Sequence, residues 1–180
     1  MARQLRILVP GLYHVVGKAT GSDRLFVARR DYEHFLALLA GIVERFHWRC
    51  RAYCLMGTHY HLMVETPEPN LAAGMHRLNG MYGQAFNRRH GRAGHLLADR
   101  YYSVLVTKES HALELVRYIA RNPVRAGLCA AADAWAWGSY QATVGATDAP
   151  TFLESDEVLR WFARKRSVGV ERLRAFVESS

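Results

Sequence analysis

Apolar and polar positions alternate at two different periods along this chain, and the changes of period outline its elements. The stretch LRILVPGLYHVVG (5–17) is rich in β-branched and aromatic residues and predicts a strand, interrupted near Pro10-Gly11. KATGSDRLF follows as a loop. Phe35, Leu39, Ile42, Val43 and Phe46 then recur at helical spacing, which predicts a helix over 32–46 with Asp31 as its N-cap. WRCRAYCLM alternates as a strand, Gly57-Thr58 make a tight turn, and HYHLMVE continues as a second, hairpin-like strand. After Pro67 and Pro69, Asn70 is placed to cap a helix whose apolar stripe is Leu71, Met75, Leu78, Tyr82 and Phe86. RYYSVLVT reads as a strand. SHALELVRYIARN reads as a helix, capped by Ser110 and stopping before Pro123.

The resulting order, β-α-β-β-α-β-α, predicts an α+β fold of ferredoxin-like or RRM-like layout, an antiparallel sheet with helices on one face. Residues 1–129 form this expected core. From 130 to 180 the pattern becomes irregular, with Trp135, Trp137 and two short helical stretches, so a C-terminal extension is expected there, with the tryptophans anchoring it on the core. No internal repeat or low-complexity tract breaks the chain.

Composition narrows the class. In 180 residues, half apolar, there is enough material for one globular core. The net charge is +8. Only Lys18, Lys108 and Lys165 are lysine among the 24 basic residues, leaving 21 arginines. Arginine forks onto phosphates and stacks on bases, which suggests nucleic acid; a GC-rich coding sequence would give the same bias. Cys50, Cys54 and Cys129 are odd in number and form no CxxC, so a reducing, cytoplasmic setting and buried thiols are expected rather than a disulfide framework. The chain opens on no secretory signal pattern and holds no apolar run of membrane-spanning length.

The candidate chemistry lies in two short pairs. His59 and His61 stand at i, i+2 on a strand, so both rings point to one side. Tyr118 and Asn122 stand at i, i+4 on a helix and share a face. Laid over the sheet, that helix would bring two imidazoles, a carboxamide and a phenol together. Such a set could hold a divalent ion and present a nucleophile to a phosphate. Each piece has a plainer reading: strand histidines satisfied by backbone, a tyrosine in the helix rim, an asparagine that ends a helix. Glu65 shares the strand face of the histidines but lies too far along it to ligate the same ion. It would still serve a water-using hydrolase. A nucleic-acid-binding module without cleavage is the other alternative.

Three stretches, MGTHYHLMVETPEPNL, FNRRHGRAGHLLADRYYSVLV and RYIARNPVRAGL, closely resemble the REP-associated tyrosine transposases, single-tyrosine members of the HUH nuclease superfamily. The resemblance runs from about Leu5 to Gly145. It implies that His59 and His61 are the metal-binding pair, that Asn122 occupies the third ligand position, and that Tyr118 is the nucleophile. It implies Mg2+ or Mn2+ as cofactor. The implied reaction cuts single-stranded, hairpin-forming repeat DNA through a 5′-phosphotyrosine that another 3′-OH can reseal. A nucleoid-associated protein, monomeric or homodimeric, is the implied form. Arg88, Arg89 and Arg92 in the basic loop, Arg100, and Arg117, Arg121 and Arg125 around the tyrosine are the expected DNA contacts. The chain departs from the family pattern at Lys18-Ala19-Thr20, at Thr58 and at Leu97-Ala98, all positions that bear on which DNA is read.

Overall fold

The computed structural model describes residues 9–21, 23–98 and 100–179. Residues 5–8 of the expected first strand lie outside them. β1 (Gly11–Lys18), β2 (Arg49–Leu55), β3 (His59–Thr66) and β4 (Tyr102–Leu105) form one antiparallel sheet in the order β2-β3-β1-β4. Three long helices join them: α1 (Arg29–Arg45), α2 (Leu71–His90) and α3 (Glu109–Arg125). This is the expected α+β, ferredoxin-like core.

The expectation of helices on one face holds for α1 and α2 only. They cover the face carrying Tyr13, Val15, Tyr53, Tyr60, Leu62 and Val64. α3 lies on the opposite face, against Ala52, Cys54, Met56 and Met63. The cause is visible in β2 and β3, whose apolar residues fall on both faces, as strands buried from two sides require. Strict alternation also fails in β2. A register shift between Cys50 and Ala52 turns Cys50 toward the first core and Ala52 toward the second.

Helix ends differ from the pattern in instructive ways. α1 starts three residues earlier than expected, with Ala28 at the N-cap. Asp31 sits inside the first turn, where its carboxylate accepts hydrogen bonds from the backbone N–H of Val27 (3.0 Å) and Ala28 (2.9 Å). Ser110 is likewise inside α3, whose N-cap is Lys108. Asn70 does cap α2 by position, but its side chain instead joins two elements, accepting from Trp48 Nε1 (2.6 Å) and donating to the Phe46 carbonyl (3.1 Å). α3 does not stop before Pro123; it runs through to Arg125. The turn closes beyond the proline, with Ala126 N–H donating to the Asn122 carbonyl (3.0 Å) and Leu128 N–H to that of Pro123 (2.9 Å).

The chain after 129 is packed on the core. α4 (Tyr140–Thr143), α5 (Ser155–Arg160) and α6 (Arg166–Glu178) follow a single 3-10 turn. The segment lines the outer edge of β2. Leu55 N–H donates to the Trp137 carbonyl, Ser139 N–H to that of Tyr53 and Glu154 N–H to that of Cys50, each at 2.9 Å. Trp135 Nε1 donates to the Leu55 carbonyl (3.1 Å) and Trp137 stacks on Tyr32 (centroids 4.4 Å apart), so both tryptophans do anchor it. Buried Arg51 ties β2 to Glu65 (2.5 Å) and to Glu154 of this segment (2.7 Å). Among the described residues, no helix is long and apolar enough to cross a membrane.

Candidate functional site

The two histidines owe their aim to the residue between them. Tyr60 is fully buried on the α1/α2 side of the sheet, and its hydroxyl donates to Asn79 Oδ1 of α2 (2.7 Å). Its cross-strand partner is Gly17, where an added Cβ would collide with the phenol ring. With Tyr60 fixed inward on one face, strand geometry sends His59 and His61 out of the other. That is the face α3 covers.

On α3, Tyr118 and Asn122 do share a side, and it faces the histidines. The Asn122 side-chain nitrogen lies 3.1 Å from Nε2 of His61. The Tyr118 ring stands perpendicular to that of His61 at 5.4 Å, while His59 and His61 are edge to face at 5.0 Å. Tyr118 is 38% exposed, so its hydroxyl can meet a solute; His61 is only 4% exposed. Arg125, one turn beyond Asn122, holds its guanidinium carbon 5.7 Å from the Tyr118 ring centre.

His14 on β1 completes the cluster, and sequence reasoning did not single it out. Its Nε2 lies 3.0 Å from His61 Nδ1. Its ring is also perpendicular, within 16°, to Tyr118 at 5.9 Å, the angle being 74°. The only hint in the sequence was its place on a strand face with Leu12 and Val16; the antiparallel pairing of β1 with β3 is non-local and leaves no local pattern. Thr58, noted only as a departure, has its hydroxyl 3.1 Å from His59 Nδ1.

Burial makes these imidazoles neutral. The pKa of His61 falls from 6.5 to about 3, chiefly by desolvation, then by the neighbouring His59, His14 and Lys18. That of His14 falls to about 4, by desolvation and then His111. His59 is lowered by desolvation and Lys18. Neutral imidazole is the ligand form. Nδ1 of His59 is engaged by Thr58 and Nδ1 of His61 by His14, which leaves Nε2 of each as the atom that could ligate an ion; that of His61 meets the Asn122 amide. Among the described residues no three His, Cys, Asp or Glu side chains gather as a metal set. The donors at hand are two imidazoles and the Asn122 carboxamide. That mixture suits a divalent ion such as Mn2+ or Mg2+, with positions left open for phosphate oxygens. A cavity of about 250 Å³ opens beside them, lined by Lys18, Thr58, His59, His61 and Tyr118.

The arginines divide. Arg117, Arg121 and Arg125 line a groove of about 700 Å³ together with Tyr118 and His14. Within it Arg117 pairs with Glu114 (2.6 Å), and Arg121 donates to the carbonyls of Val177 (3.3 Å) and Ser179 (3.0 Å). Arg88 and Arg100 are exposed. Arg89 instead pairs with Asp31, which is fully buried, at 2.5 Å. Burial alone would raise the Asp31 pKa, but hydrogen bonds from the Ala28 N–H, His90, the Val27 N–H and Arg89 outweigh it and lower it. Arg92 is paired with Asp23 and braces the loop through the His95 carbonyl (3.3 Å). That loop pairs with the end of β1, Ala98 N–H donating to the Lys18 carbonyl (3.0 Å). Glu65 lies between Arg49 (3.4 Å) and Arg51 (2.5 Å), tied into the sheet rather than aimed at the histidines.

Comparison with known proteins bears on the family and the fold. The family model described as IS200-like transposase matches residues 11–122. The solved structure of a REP-associated tyrosine transposase bound to a REP hairpin aligns with 80% of this chain and 86% of its own, at a TM-score of 0.70 and 14% identity. A second, described as a transposase candidate from Deinococcus radiodurans R1, aligns with 66% of this chain and 95% of its own, at 0.45 and 17%. No curated protein matches the chain.

Proposed function

The chain belongs to the IS200-like transposase family, and from that premise we propose that it is a metal-dependent strand transferase acting on single-stranded, hairpin-forming DNA, with Tyr118 as nucleophile. The observation that carries the reading is the meeting of Tyr118 and Asn122 from α3 with His59 and His61 from β3. Neither pair needs the other for folding alone: apolar residues of α3 already bury that helix.

In this reading the Tyr118 oxygen attacks the scissile phosphorus as the phenol gives up its proton. The bond from phosphorus to the 3′-oxygen breaks, and that oxygen leaves as a 3′-OH after taking a proton. The 5′ phosphate stays joined to Tyr118. Attack by another 3′-OH reverses the step, restores the phenol and joins a new strand. A divalent ion held by His59, His61 and Asn122 supplies charge to the phosphate oxygens when bound. Arg125, whose guanidinium carbon lies 5.7 Å from the Tyr118 ring centre, would meet the negative phosphate that the phenol attacks. Arg117 and Arg121 line the path along which the strand would run. The hairpin held by the solved relative supports this choice of substrate class.

The test is a denaturing gel with labelled hairpin DNA from repeats flanking the gene, in Mn2+ or Mg2+. Wild type should give a covalent protein–DNA adduct; Tyr118→Phe and His59→Ala should give none while still binding the hairpin. Salt-sensitive binding with no adduct from wild type, across several such hairpins and both metals, would favour a binding protein that does not cleave.

A further inference from the structure

His14 and His61 are nearly coplanar, 21° apart, with ring centroids separated by 5.3 Å. Their nearest nitrogens are 3.0 Å apart. The centroid separation exceeds the nitrogen separation by a ring radius at each end. The two rings therefore meet edge to edge in one plane, the geometry of a directed N–H···N hydrogen bond, and do not stack face on face.

The direction of that bond follows from the other edge of His61. Where Asn122 donates its amide to Nε2, that nitrogen carries a lone pair and Nδ1 carries the proton. Where Nε2 faces an ion instead, the same lone pair is used and the proton is again on Nδ1. With the Asn122 amide nitrogen at Nε2, as found, or with an ion there, the tautomer is the same: His61 donates and His14 Nε2 accepts. Register supports the pairing: Val16 stands opposite His61 and His14 opposite Met63, so His14 reaches His61 diagonally on one sheet face.

We infer that His14 is the positioning residue of this site: by accepting the Nδ1–H of His61 it fixes that ring's tautomer and turns Nε2 toward the ion. This rests on the metal reading above. Partners of this kind orient ligating imidazoles and raise their basicity, and losing one typically costs roughly 10–100-fold in metal affinity.

The test compares wild type, His14→Gln and His14→Leu by Mn2+ titration calorimetry, with nitrogen-15 NMR of the His61 ring in the metal-free protein. Glutamine keeps an oxygen acceptor near the place of Nε2; leucine keeps bulk but no acceptor. We expect roughly 10–100-fold weaker binding for His14→Leu, affinity within a few-fold of wild type for His14→Gln, and a proton on Nδ1 of His61. Wild-type affinity in His14→Leu overturns the inference. So does His14→Gln binding as poorly as His14→Leu, because ring packing would then be the cause. A proton on Nε2 of wild-type His61 overturns it as well. Should His14→Leu fail to fold, the glutamine variant and the NMR measurement still decide. Failure of the metal reading itself would show separately, as a wild type that takes up no Mn2+, and would take this inference with it.

Discussion

The side-chain nitrogen of Asn122 on α3 lies 3.1 Å from Nε2 of His61 on β3, so the helix that carries Tyr118 is tied to the strand that carries the histidines by the same amide whose oxygen would ligate an ion. Asn122→Ala removes this tie and one donor. We expect Mn2+ affinity to fall at least about tenfold in calorimetry, the range in which lost metal-site partners register. Asn122→Asp, which keeps an oxygen donor and adds charge, should bind at least as tightly as wild type. Equal loss in both variants would mean that the amide, not a ligating oxygen, is what the site needs.

Acid should weaken the metal-free fold through the same cluster. His61 and His14 have folded pKa values of about 3 and about 4, below the ordinary 6.5. Below 6.5 the unfolded chain binds protons that the folded chain refuses, so stability rises with pH across that window. It is complete above 6.5 and is lost as pH falls toward 4, at about 1.4 kcal/mol per pH unit for each histidine left neutral in the fold. Urea melts at pH 7, 6 and 5 should show this decline, and His14→Gln should flatten part of it. Midpoints unchanged from pH 7 to 5 would contradict the buried neutral pair.

Neighbouring arginines should behave differently. Arg89 serves buried Asp31, whereas Arg88 is exposed. Arg89→Gln leaves a buried carboxylate short of a partner and should cost about 1–3 kcal/mol in a urea melt. Arg88→Gln should leave stability within about 0.5 kcal/mol. If Arg88 contacts the strand, its loss lowers the slope of log K against log salt by about 0.7. Equal destabilisation by the two would erase the distinction.

Much of this arrangement could be read from local pattern. Phe35, Leu39 and Ile42 announced α1, and Leu71, Met75 and Leu78 announced α2, because each buries one stripe. His59 and His61, with Tyr118 and Asn122, were legible because i, i+2 on a strand and i, i+4 on a helix fix a shared side. What escaped depended on contacts between distant segments. His14 meets His61 only through the pairing of β1 with β3. Arg89 looked like any loop arginine until α1 and α2 packed and brought it to Asp31. The second helical face was hidden in β2, where a register shift puts Cys50 and Ala52, two residues apart, on opposite faces. Pro123 misled because the restriction it imposes is a preference, and the burial of α3 overrides it.

Residues 1–129 should not stand as a domain by themselves. The segment beyond them feeds both cores: Ala142 and Leu153 enter the α1/α2 side, while Tyr140, Val144, Val158, Leu173 and Val177 pack with α3. It also caps the outer edge of β2, whose groups at Cys50, Tyr53 and Leu55 bond to Glu154, Ser139 and Trp137. Truncation would expose that edge together with the apolar side of α3, a surface that pairs with other chains. A chain ending at 129 is therefore expected to aggregate, or to lose a cooperative thermal transition, in size-exclusion and near-UV dichroism measurements. Glu154→Gln in the full chain, which weakens only the half-exposed link to Arg51, should cost about 1 kcal/mol or less. A monomeric 1–129 fragment with the melting behaviour of the full chain would show that the segment is an appendage, and would place the boundary of the folding unit at the end of α3.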